Sequence, residues 1–321
     1  MYPTLRRSCF GLLALAALTA TPTRIFAQPP VYVSQWGVSG SGQGQFRGPN
    51  AVAVDAIGFI YVIDLNNTRM QKFNSSGALL NVWPFPFFPS GLAVSPAGNV
   101  YVADYNGHRV QKYAPNGILL GQWGTNGVGN GQFQFPAGIA VDAANRVYVA
   151  DSQNHRVQKF DANGVYLGQW GSHGTGDGQF DYPYGIAVDG PGFVYVLEAT
   201  GSRVQKFDSN GVFQTKWGGI GGSPGLFNNP FWIAVDFAGN VYVSDTYNYR
   251  VQQFSSTGTF LSQFGSYGAG NGQFTYPQGV AADSHGFIFV ADYLNDRVEM
   301  FGTPITPASN TTWGRLKALY H

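Results

Sequence analysis

Six copies of one short pattern, evenly spaced, constrain this chain more than anything else in it. The segment YVADSQNHRVQKF (148–160) recurs as YVIDLNNTRMQKF from Tyr61, YVADYNGHRVQKY from Tyr101, YVLEATGSRVQKF from Tyr195, YVSDTYNYRVQQF from Tyr242 and FVADYLNDRVEMF from Phe289. The arginines fall at 69, 109, 156, 203, 250 and 297, so the spacing is 40 residues once and 47 four times. A fixed period of this length marks a repeat architecture, in which each unit buries its apolar faces on its neighbours. Six equivalent clusters of Asp, Asn, His and Arg are not six active sites. They belong to the scaffold.

Each unit reads as four strands. In the third, AGIAVD (137–142) is an apolar run suited to an inner strand, RVYVAD and RVQKFD alternate, and VYLGQWG carries aromatic and aliphatic residues to its end. Asp opens and Gly closes the first turn of most units (Asp55 with Gly58, Asp189 with Gly192, Asp236 with Gly239, Asp283 with Gly286), which is type I chemistry. The third turn is a tight hairpin such as ANG (162–164). Across the second turn, an acid faces an arginine five residues on: Asp64 with Arg69, Asp104 with Arg109, Asp151 with Arg156, Glu198 with Arg203, Asp245 with Arg250 and Asp292 with Arg297. Asn or Gly stands at the fourth position of that turn (Asn154, Gly107), which predicts a left-handed backbone there. The next position holds His155, Thr68, His108, Ser202, Tyr249 or Asp296, a variety that predicts a solvent-facing side chain.

A four-stranded antiparallel unit repeated six times is the blade of a β-propeller, because radial closure hides the edges of many short sheets. The expected fold is all-β: a six-bladed propeller spanning 31–301. The last unit stops at Phe301 without a fourth strand, while VYVSQWG (31–37) has no unit before it and matches VYLGQWG (165–171). The N-terminal strand is therefore expected to complete the last blade and close the ring.

The run GQFQFPAGIAVDAANRVYVADSQNHRVQKFDANGVYLGQWG (131–171) resembles a complete NHL repeat, and the resemblance extends over nearly all of 31–301. It implies a six-bladed platform of a kind that binds ligands, proteins or RNA. Related propellers include peptidylglycine-amidating lyases, streptogramin lyases and calcium-dependent lactonases. The histidine sets of the lyases do not map onto matching positions here.

Residues 1–27 have a basic start, an apolar run of about a dozen residues and a cleavage-like RIFA, the layout of a secretory signal peptide. That predicts a secreted, periplasmic or cell-envelope location with no transmembrane segment. Cys9, the one cysteine, falls inside this segment, so the exported chain is held by packing alone. Without Arg6, Arg7 and Arg24, 15 Lys and Arg face 17 Asp and Glu, with no basic run, which argues against nucleic acid as a partner. Residues 302–321 read as a linker and a short amphipathic tail.

Function is expected where the repeats differ. The residue after each blade's proline should line the channel mouth: Asn50, Ser90, Ala137, Tyr184, Phe231 and Gln278. One place further, Trp232 replaces a small residue, and the second turns add Tyr105, Tyr247, Tyr249 and Tyr293. Aromatic residues on one face suit a protein, peptide or carbohydrate partner. Trp232, Phe231, Tyr184 and the four loop tyrosines are thus the candidate ligand contacts. Five connectors from Trp or Phe to Pro share one length, and WPFPFFP (83–89) is seven residues shorter. His108 and His155 lie on adjacent blades without an evident third ligand, so no metal or cofactor is expected. The sequence reads as a monomeric, non-catalytic extracytoplasmic binding or scaffold protein. The alternative is a metal-dependent lyase or lactonase-like hydrolase with a channel site.

Overall fold

The computed structural model describes residues 28–302. The expected signal peptide and almost all of the tail lie outside them. Six four-stranded antiparallel sheets form the ring. Blade 3 shows the plan, with strands Pro136–Val141, Val147–Asp151, Arg156–Phe160 and Tyr166–Trp170 running from the axis outward. Blade 6 takes its outermost strand from the other end of the chain: Val31–Trp36 pairs antiparallel with Arg297–Gly302, from Val31 opposite Gly302 to Trp36 opposite Val298. Among the described residues no helix is long and apolar enough to cross a membrane.

The repeated residues do what the pattern requires. Turn Asp142 accepts from the backbone N–H groups of Ala144 and Arg146 and from the Tyr148 hydroxyl. In five of the six blades the repeat arginine ties its blade to the connector that precedes it. Arg156 Nε donates to Asp151 Oδ2 at 2.7 Å, and its two other nitrogens donate to the carbonyls of Val128, Gly129 and Gln132 and to Gln169. The guanidinium fork suits this clustered set of acceptors. In blade 2 the shortened connector brings no such carbonyls, and Arg109 keeps Asp104 at 2.8 Å with its side chain 33% exposed.

The left-handed backbone is one residue later than expected. Asn67, Asn154 and Asn248 end short 3-10 turns, and Thr68, His108, His155, Ser202, Tyr249 and Asp296 carry the positive φ, between 47° and 56°. The asparagine is chosen for its amide instead. Asn154 Nδ2 donates to Asp151 and to the Gly127 carbonyl, and in blade 2 the Gly107 N–H reaches Asp104 in its place. Nor is the following position simply solvent-facing, since Ser202 is buried and the side chains of His108, His155 and Asp296 cross to the next blade.

Neighbouring inner strands approach so closely that a side chain is excluded after the mouth residue. A Cβ on Gly91 would lie 2.2 Å from the Ala137 carbonyl, and one on Gly138 2.3 Å from that of Tyr184. Trp232 occupies the equivalent place in blade 5. There the inner strand shrinks to Ile233–Val235, and a Cβ on Gly185 of blade 4 would stand 3.2 Å from the Phe231 carbonyl.

Candidate functional site

The second turns and the connectors emerge on one face, and the channel opens among them. Five of the six post-proline residues (Asn50, Ser90, Tyr184, Phe231 and Gln278) ring a depression of about 160 Å³. Phe88 and Leu65 complete the wall together with Tyr105 and Tyr293. Ala137, the sixth, is fully buried beside it. The lining contains rings, amides and hydroxyls, but no histidine, lysine or carboxylate.

The rings form a connected belt. Tyr184 packs edge-on against Phe231 at 5.0 Å between centroids, and Phe231 meets Tyr276 at 6.0 Å. Tyr276 in turn touches Tyr247 and Tyr293, and the Tyr293 hydroxyl accepts from Asn66. Across the mouth Tyr105 bridges Phe88 and Phe135. Burial raises the pKa of the Tyr184, Tyr105 and Tyr276 hydroxyls above the ordinary phenol value, so they serve as neutral hydrogen-bonding groups. Asn50 is buried with its Oδ1 lacking any hydrogen-bond partner. That buried acceptor calls for an N–H or O–H that the protein itself does not supply.

Of the seven residues singled out by sequence, Tyr184, Phe231, Tyr105 and Tyr293 line the mouth. Tyr247 stands at its shoulder, exposed, against Tyr276. Tyr249 lies apart from it and packs on Tyr267 at 4.9 Å. Trp232 is only 5% exposed; it belongs to the buried core and touches Tyr184 from within, so it supports the mouth instead of lining it. Tyr276, the residue before Pro277, was missed because that position follows no pattern across the connectors. The structure also brings His155 to His173, which lie 18 residues apart in sequence.

Two stretches, 88–113 and 133–160, match the NHL repeat family, and the chain is an NHL-repeat β-propeller. No curated protein matches it in sequence. Among solved structures it is similar to a streptogramin B lyase, at 13% identity over 85% of this chain and 98% of that one, with a TM-score of 0.62. It is also similar to the gluconolactonase XC5397 from Xanthomonas campestris, at 15% identity over 87% and 98%, again with a TM-score of 0.62. A third likeness is hydrazine synthase of Kuenenia stuttgartiensis, at 11% identity over 83% and 98%, with a TM-score of 0.60. At these identities the likeness is one of fold.

Proposed function

We propose that the protein is an extracytoplasmic binding platform whose channel mouth receives one small group of a glycan, peptide or protein ligand. The buried, unpartnered Oδ1 of Asn50, set within a ring of aromatic faces, carries this reading. Depressions that swallow whole drug-sized ligands run to about 300–1,000 Å³. One of about 160 Å³ takes a single ring or side chain and leaves the rest of the ligand on the face. A sugar ring fits best. It offers a hydroxyl to Asn50 and Gln278 and an apolar face to Tyr184 or Phe231.

The catalytic alternative borrows from the lyase and gluconolactonase that share the fold. General acid–base work needs a group that changes protonation in reach of the substrate. The mouth lining offers no histidine, lysine or carboxylate, and burial holds the Tyr184 and Tyr105 hydroxyls protonated. The test is a screen of glycan and peptide libraries with the full chain, repeated with Tyr184→Ala and Phe231→Ala. Glycan hits weakened at least about tenfold by both changes are expected, in line with the loss of an aromatic anchor. Hits confined to peptides would replace the sugar, and hits that ignore both substitutions would overturn the site.

A further inference from the structure

Every full-length connector brings the same three positions together at the seam between two blades. These are the left-handed residue of the second turn, the third residue after the connector's Trp or Phe, and the residue two before the next proline. At the seam of blades 2 and 3 they are His108, Asn126 and Gln134; at blades 4 and 5, Ser202, Ile220 and Asn228; at blades 5 and 6, Tyr249, Tyr267 and Thr275. At the seam of blades 3 and 4 they are His155, His173 and Asp181. Only there do all three carry metal-ligating side chains.

The geometry matches the chemistry. One ligand atom from each of the three lies within 4.8 Å of the other two. His173 Nε2 is 3.7 Å from Asp181 Oδ1, and the two imidazole centroids are 4.4 Å apart. No other group of this kind converges among the described residues. We infer that His155, His173 and Asp181 form a surface site for a divalent transition metal of the zinc type. Two imidazoles and one carboxylate are a common ligand set for such ions, and they leave further coordination positions open. The His173 side chain is 70% exposed, so those positions face solvent, where water or a donor from a bound partner completes the shell.

One local feature works against binding: His155 Nδ1 accepts from the Tyr182 backbone N–H at 3.3 Å. The sister contact, Phe135 N–H to His108 Nδ1, is 3.1 Å. Metal ligation by His155 gives up that one long hydrogen bond. The backbone strain at His155 is shared by all six seams, so it belongs to the fold and not to the metal.

The repeat supplies its own control variants. His173→Asn and Asp181→Gln copy the residues already present at Asn126 and Gln134, so both changes place at this seam what its neighbour tolerates. Zinc is titrated calorimetrically into the untagged full chain, into each variant and into His108→Asn, with thermal melts without zinc to confirm folding. One equivalent is expected to bind to the parent chain and to His108→Asn alike. Affinity should fall at least about tenfold in His173→Asn and in Asp181→Gln. It should also weaken from pH 7.5 to 5.5 as the imidazoles take up protons. No saturable binding by the parent chain, or equal binding by His173→Asn, would overturn the site.

Discussion

Arg297 Nε stands 3.4 Å from Asp292 Oδ2, whereas the five equivalent pairs close to between 2.6 and 2.8 Å. The cause sits two residues on. In blade 3, Gln158 donates to Asp151 and to the Gln132 carbonyl while accepting from Gly131. Blade 6 has Glu299 in that place. Its Oε2 accepts from the Gly272 N–H, but its Oε1 has no proton for the acceptors around it and draws Arg297 into an ion pair instead. Arg297 Nε is left buried without a hydrogen bond.

Burial, opposed mainly by Arg297, raises the Glu299 pKa to about 7, and burial also raises that of Asp292. A folded-state pKa above the unfolded value gives stability that is complete below the unfolded pKa and lost as pH rises through the folded one. The melting temperature is thus expected to fall between about pH 4.5 and pH 7. Glu299→Gln should flatten that slope and add up to about 3 kcal/mol at neutral pH, converting the shift at about 1.4 kcal/mol per unit. Urea midpoints across that range, for both chains, check it.

Arg156 and Arg109 hold the same place in the repeat but differ in what they hold. Arg156→Lys loses the donors that anchor the connector of blade 3, and we expect a loss of about 3 kcal/mol, as for breaking a buried pair. Arg109→Lys, at the shortened connector and a third exposed, should cost less than half of that. Equal losses in urea unfolding would show that the connector carbonyls contribute nothing.

Gly138→Ala places a methyl 2.3 Å from the Tyr184 carbonyl, and Gly185→Ala places one 3.2 Å from that of Phe231. Overpacking of the first kind is expected to destabilise by about 1–3 kcal/mol. The second should cost clearly less, because blade 5 stands back around Trp232 and its neighbours need yield only slightly. Paired denaturation curves decide it.

Removing residues 31–36 leaves the edge of Arg297–Gly302 unpaired and breaks the Gln35 to Arg297 hydrogen bond. The truncated chain is expected to lose its cooperative melt and to become sensitive to proteases throughout, as a ring without closure should. A sharp melt within about 5 °C of the parent would contradict this, since one kcal/mol shifts a domain above 150 residues by about 2–4 °C.

The blades, their order, the closing strand and the mouth positions were legible because each is written six times, and repetition separates scaffold from variation. What was missed has no periodic signature. The left-handed residue is the one after Asn154, since Asn and Gly there serve the Asp151-type carboxylate by amide or by backbone N–H. Trp232 looked like a ligand contact because it broke the pattern; its bulk is instead absorbed by shortening an inner strand. His173 sits in a Gly-rich connector whose path only the fold reveals, so its approach to His155 could not be counted from spacing.

The ring has a consequence for the order of synthesis. Val31–Trp36 leaves the ribosome before any blade exists, yet its partner strand is the last of the ring to be made, 262 residues later for the bond between Gln35 and Arg297. Blades 1 to 5 are built from local pairings and can form as they emerge, while the sixth must wait for its two halves to meet. Such distant contacts are slow, and an exposed strand edge invites pairing with another chain in the meantime. The seam that closes the finished ring is therefore where a nascent chain is most exposed to misassembly, including exchange of first strands between two copies.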